Sequence, residues 1–99
     1  MLSIKIAGVI PLRPMELLVL FENGIVKRFD AKPICKDFPA FEALRDPAIF
    51  QLARVEPEGY GIAWNDELDC SEGELWTRGV ETEFSVEDFT RMKKQEILR

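Results

Sequence analysis

Glu16-Leu17-Leu18-Val19-Leu20-Phe21-Glu22-Asn23-Gly24-Ile25-Val26-Lys27-Arg28-Phe29-Asp30 is the stretch on which the fold turns. From Leu17 to Phe21 the residues are apolar at both parities, as in a central strand covered on both faces. Asn23-Gly24 then supplies a pair that tolerates positive φ at both central positions of a type I′ turn. Ile25 to Asp30 alternates in polarity and reads as the return strand. A two-residue loop sets the register, with Phe21 opposite Val26 and Leu18 opposite Phe29.

Upstream, Leu2, Ile4, Ile6 and Ile10 stand at alternate positions with Ser3 and Lys5 between them, the period of a half-buried strand. Pro11 and Pro14 bracket a turn. Downstream, residues 31–40 contain Pro33 and Pro39 and read as an irregular crossing segment with at most one helical turn. Phe41 to Arg45 reads as a short helix. Asp46-Pro47 has the form of an N-cap followed by proline at the first helical position, opening a second helix through Ala53. Arg54 to Pro57 suits a strand, Glu58-Gly59 a turn and Tyr60 to Trp64 the last strand. Asn65 to Asp69 reads as a polar loop and Ser71 to Arg78 as a short helix ended by Gly79. Residues 80–84 read as a linker. Ser85 and Asp88 resemble a capping box, with aspartate in place of the usual glutamate, before a terminal helix over 86–97. Val86, Phe89 and Ile97 share one face of that helix.

The pattern predicts an α+β fold: a small antiparallel sheet of about five strands in the order β-β-β-α-β-β-α, with short helices and a C-terminal helix. Its length of 99 residues suits one domain, and an apolar fraction of 46% supplies a core. Residues 1–79 form the expected α+β unit. Residues 80–99 form a linker and helix that either folds back on the unit or docks a partner. No run is long and apolar enough to span a bilayer, and the opening residues lack a secretory pattern, so a cytoplasmic protein is expected. Cys35 and Cys70 belong to no C-x-x-C pair and are expected as reduced thiols.

The net charge of −5 is placed unevenly. Residues 1–60 balance, whereas between Asp66 and Asp88 nine acids face one base, Arg78. Such a surface repels phosphate, so no nucleic acid partner is expected for this domain alone. A small basic protein would be attracted. Lys27, Arg28, Lys32 and Lys36 make a modest basic cluster, by default a solvated face.

Histidine is absent from the sequence. Ser-His-Asp and Cys-His systems and histidine metal ligands are therefore excluded together. Neither G-x-x-x-x-G-K-[ST] nor G-x-G-x-x-G occurs, and no cofactor is expected. Asp66, Glu67, Asp69, Glu72 and Glu74 gather carboxylates, but Leu68 interrupts them and no glycine stands at the turn of a calcium loop. Trp64 and Trp76 flank this acidic segment, either as an aromatic recognition surface or as core. The candidate partner-binding residues are thus Trp64, Asp66, Glu67, Asp69 and Trp76, with Phe89 and Ile97 on the terminal helix; no catalytic or metal-binding residue is assigned.

The order of motifs resembles the bacterial domain of unknown function 2442 family over about residues 3–79. It rests on Phe21-x-Asn23-Gly24, then Phe29-Asp30, then Leu44-Arg45-Asp46-Pro47-x-x-Phe50, Trp64-Asn65, Leu68-Asp69 and Leu75-Trp76. Relatives usually carry Asn-Gly after the tryptophan, where this chain has Asp66-Glu67. The resemblance implies a compact α+β domain with an antiparallel sheet and no established activity. Family members often stand beside a second small gene in an arrangement resembling toxin–antitoxin pairs. Some relatives carry a helix-turn-helix segment, for which residues 80–99 are too short. The leading expectation is a non-enzymatic module that binds a small, basic protein partner, as the antitoxin-like or regulatory half of such a pair. The alternative is a homo-oligomeric structural or regulatory protein joined through the 86–97 helix, and a third reading is a carboxylate enzyme or calcium site at Asp66 to Glu74.

Overall fold

The computed structural model describes residues 4–97, without the side chain of Ile97. Leu2, expected in the first strand, and the Ile97 side chain, expected on the apolar stripe of the last helix, lie outside the described residues. The hairpin that dominates the sequence is formed by β2 (Glu16–Phe21) and β3 (Val26–Asp30). Every residue of β2 from Leu17 to Phe21 is buried, as its unbroken apolar run requires.

The hairpin register differs from the expected one by a single residue. Leu20 faces Val26 and Leu17 faces Phe29. The loop holds three residues: the Phe21 N–H donates to the Ile25 carbonyl at 2.9 Å, and the Gly24 N–H donates to the Phe21 carbonyl at 2.9 Å. Gly24 has φ +88°, whereas Asn23 is not among the positive-φ residues, so the type I′ geometry is not adopted. Instead, Asn23 Oδ1 accepts from the Ile25 N–H at 3.1 Å. A turn followed by one left-handed glycine is the usual three-residue solution. The change matters because a slip of one residue exchanges the faces. The observed register puts Leu17 and Phe29 together on one face, and Leu20 and Val26 on the other.

The edge strand β1 (Ile6–Leu12) pairs antiparallel with β2, and a bulge lies between Ile6 and Gly8. That extra residue breaks the simple alternation expected for Ile6 and Ile10. Ile6 joins Val9 in the inner core and Ile10 points to the outer face. Beyond β3, β7 (Val80–Glu81) completes a four-stranded sheet in the order β1-β2-β3-β7. The expected linker at 80–84 is therefore a strand and its anchor. Thr82 donates to the Val26 carbonyl from both its N–H, at 2.9 Å, and its hydroxyl, at 2.8 Å. A two-residue strand has too little length to show a period.

Between β3 and β7 the chain builds the inner cover. Helix α1 (Lys32–Asp37) exceeds the single turn expected, because Pro33 falls in the first turn, where proline lacks no needed donor. A 3-10 helix follows at Pro39–Arg45. Helix α2 (Pro47–Phe50) opens on Asp46, whose Oδ1 accepts from the Ala48 N–H at 2.9 Å, but it ends at Phe50 and not at Ala53. A second sheet then forms from β4 (Arg54–Val55), β5 (Gly61–Ala63) and β6 (Asp69–Ser71), in that order. The expected turn lies between β4 and β5, with Glu58 and Gly59 at φ 73° and 81°. Helix α3 (Glu72–Arg78) starts on Ser71, whose hydroxyl accepts from the Glu74 N–H at 3.2 Å.

Leu17, Val19, Phe21 and Phe29 of the large sheet meet Leu44, Ile62, Trp64 and Leu75 in the inner core. The outer face, Ile10, Leu18, Leu20 and Val26, is covered by α4 (Val86–Ile97). The capping box is formed as expected. The Ser85 N–H donates to Asp88 Oδ2 at 2.9 Å, and the Asp88 N–H donates to the Ser85 hydroxyl at 3.0 Å. The architecture is the expected antiparallel α+β fold, with its strands divided between two sheets.

Candidate functional site

The acidic segment is displayed by the β5–β6 hairpin. Its loop is closed by the Trp64 N–H donating to the Leu68 carbonyl at 2.9 Å. Inside it, Asn65 Oδ1 accepts from the N–H groups of Glu67, at 2.9 Å, and Leu68, at 3.0 Å. In this side-chain turn the asparagine side chain replaces a backbone acceptor. Leu68 is buried and pins the loop, so Asp66 and Glu67 stand exposed at its tip. Asp69 points outward from β6, which is an edge strand. Among the described residues, no base lies within ion-pair distance of Asp66, Glu67 or Asp69, whereas Glu74 is paired with Arg78 at 2.6 Å.

The two tryptophans have different roles. Trp64 is 1% exposed and sits in the inner core against Phe50 and Phe41, with ring centroids 6.0 Å and 6.5 Å away. It is a core residue and offers no surface to a partner, which corrects its place among the recognition candidates. Its Nε1 is buried with no acceptor among the described residues. Trp76 is half-buried. Its ring meets Phe21 edge-on at 5.0 Å and carries the Lys27 ammonium 3.7 Å from the ring centroid. Lys27 Nζ also donates to the Trp76 carbonyl at 2.7 Å, placing a cation at the C-terminal end of α3. Trp76 therefore serves as a clamp between β3 and α3.

Phe89 is likewise buried, seated under α4 against the outer sheet face. The terminal helix thus folds back on its own domain in this structure. The basic cluster is dispersed. Lys27 turns inward to Trp76, its neighbour Arg28 turns the other way and lies 3.8 Å from Glu16, and Lys32 and Lys36 border a shallow cleft with Asp30 and Asp37.

The chemistry available to these groups is limited. Among the described residues, no three His, Cys, Asp or Glu side chains converge to hold a metal ion. Cys35 and Cys70 are buried and unpaired. Burial pushes the Cys70 thiol up to about 12, with Glu74 and Asp69 adding to the shift and Arg78 opposing it. Burial also raises Cys35, against the pull of Arg45. Neither cysteine supplies a thiolate nucleophile near neutrality. A cleft of about 530 Å³ opens between the β1–β2 turn, α2 and Glu96, lined by Pro11, Arg13, Pro14 and Phe50 among others. No member of the acidic loop reaches it. The β5–β6 tip is exposed and negative, with no base within ion-pair distance of Asp66, Glu67 or Asp69 among the described residues.

The sequence reading placed Lys27 only in a basic cluster and Asn65 only in a polar loop and the Trp64-Asn65 motif, and gave neither its observed role. An asparagine directly after a strand was a sign of a side-chain turn; nothing local linked Lys27 to a tryptophan 49 residues away. None of the described helices is long and apolar enough to cross a membrane. No curated protein and no solved structure matches the chain. One family does, its sequence model matching residues 6–81, and the chain belongs to it: protein of unknown function (DUF2442).

Proposed function

We propose that this chain is a non-enzymatic binding module whose acidic β5–β6 tip docks a small basic protein, as the regulatory or antitoxin-like half of a two-gene pair in the bacterial cytoplasm. The observation that carries the reading is the display of Asp66, Glu67 and Asp69, exposed and unpaired, on a loop fastened by Asn65 and Leu68. A fastened loop loses little freedom on binding, so its charge acts without an ordering cost. The β6 edge beside it adds backbone groups that an extended partner segment can pair with. The absence of histidine and the raised thiols support a binding role over a catalytic one.

The test is co-expression with the product of the adjacent gene, followed by co-purification at low and high salt. Association at low salt that weakens with salt is expected. The triple variant Asp66→Asn, Glu67→Gln, Asp69→Asn is expected to lose most of that salt dependence while keeping its thermal stability. Two proteins that run apart at low salt would remove the basis of the proposal.

A further inference from the structure

The loop that closes the central hairpin carries a reactive pair that its fold holds apart. Asn23 and Asn65 are the two asparagines of the chain. Asn23 is exposed and is followed by Gly24, whose nitrogen has no side chain beside it. That nitrogen is one five-membered ring closure from the asparagine amide carbon, the reason asparagine is thermally labile. Asn65 is followed by Asp66, whose side chain crowds the corresponding nitrogen and whose carboxylate opposes the negative charge that attack requires.

Hydrogen bonds stand against the reaction at Asn23. The Gly24 N–H donates to the Phe21 carbonyl at 2.9 Å, so the nitrogen can attack only after that bond is given up. Asn23 Oδ1 accepts from the Ile25 N–H at 3.1 Å, which fixes the side-chain amide. This bond also polarises the amide, but a polarised carbon gains nothing while its nucleophile is turned to Phe21. The Phe21 N–H bond to the Ile25 carbonyl, at 2.9 Å, closes the same loop. The hairpin end must therefore open before the ring can close.

We infer that Asn23-Gly24 is a self-modification site gated by the hairpin, converted to aspartate or isoaspartate only when the turn opens. In the open turn the Gly24 nitrogen bonds to Asn23 Cγ. The Cγ–Nδ2 bond breaks, and ammonia leaves with the proton that the Gly24 nitrogen gives up. Water then adds to the cyclic imide. Breaking the ring at Cγ gives aspartate, and breaking it at the main-chain carbonyl carbon gives isoaspartate, with the backbone running through Cβ and Cγ. One water is consumed and one ammonia released.

The two products leave different loops. Aspartate keeps an oxygen for the Ile25 N–H, so the three-residue loop survives. Isoaspartate adds one backbone carbon inside the loop, which then cannot close both Phe21 bonds in the same register. Because β2 is buried from Leu17 to Phe21, that register decides the core. Each opening of the turn thus carries a chance of permanent exit from the native state. The acidic β5–β6 tip takes no part, so this inference stands apart from the docking proposal.

The experiment compares the folded full-length protein with the same chain unfolded in guanidinium chloride, both in mildly alkaline buffer. Samples are digested over time, and the amide, aspartate and isoaspartate peptides are separated and weighed. In the unfolded chain, Asn23 is expected to convert well before Asn65. In the folded protein, conversion at Asn23 is expected to be at least about tenfold slower, since the loop's hydrogen bonds must open first. Equal rates in the two states overturn the gate, and an Asn23 that survives unfolding unconverted overturns the site. Asn23→Asp is expected to keep the wild-type denaturant midpoint, and the isolated isoaspartyl protein to fall below it. A lowered midpoint in Asn23→Asp, or an isoaspartyl protein at the wild-type midpoint, overturns the contrast between the products.

Discussion

The two faces of β2 are built from the same residue types but held in different ways. Leu17, Val19 and Phe21 look inward to a second sheet, helices α1, α2 and α3, the 3-10 helix at Pro39–Arg45 and two tryptophans, and so are fixed by many partners from distant parts of the chain. Leu18 and Leu20 look outward to one helix that commits a single buried side chain. An apolar strand therefore tells that both faces are covered and nothing about how firmly. Firmness depends on how many independent elements share the contact, since each must be lost for the face to open.

The sharpest way to break this contrast is to remove a large side chain from each cover. Trp64→Ala is expected to cost about 3–5 kcal/mol, read as a lower denaturant midpoint for the whole domain. Trp64→Phe should cost much less, because it keeps an aromatic filler and removes a buried N–H without an acceptor. Phe89→Ala is expected to cost about 1.5–3 kcal/mol, near the transfer value for one phenylalanine. Its signature should be lost helical signal and fast exchange in α4, with the inner core intact. Equal, global effects from Trp64→Ala and Phe89→Ala would erase the distinction between the faces.

Lys27→Met probes the inner cover at its clamp. Losing the ammonium over Trp76 and its bond to the Trp76 carbonyl should cost about 1–2 kcal/mol in chemical denaturation. The smallest effect concerns acid and the outer cover. The Ser85 N–H, then the Ser85 hydroxyl and Arg91, hold the Asp88 carboxyl below its usual 3.8. Because the folded value is the lower one, the capping stabilisation is complete above the unfolded value and fades as pH falls through the folded one. Helical signal from α4 should therefore decline first when acidified below about pH 4, and Ser85→Ala should abolish that early step. A helix that melts only with the rest of the domain would contradict this.

Features that depend on a few adjacent residues were legible in the sequence. Asp46 and Ser85 announced their caps, and the covered strand at Leu17 to Phe21 followed from its unbroken apolar run. The register was not, because Asn23-Gly24 serves both a two-residue and a three-residue loop, and the choice rests on one φ angle at Asn23. The bulge at Ala7 likewise redirected Ile6 without leaving a mark in the composition. In the candidate site, the exposure of Asp66, Glu67 and Asp69 was readable from their polarity. The parting of Trp64 from Trp76 was not, since burial of an indole is decided by elements far away in sequence, Phe41 and Phe50 for one and Lys27 for the other.

One feature of β1 links the looser cover to the protein's behaviour in concentrated solution. The outer margin of this strand is kept from recruiting foreign strands by the bulge, by Pro11 and by the Lys93 ammonium on the Val9 carbonyl. The last of these guards travels with α4. Whatever lifts the helix thus uncovers apolar surface and the Val9 carbonyl in the same event, so exposure to self-templated β growth rises with the population of the open helix, while the bulge and Pro11 stay in place.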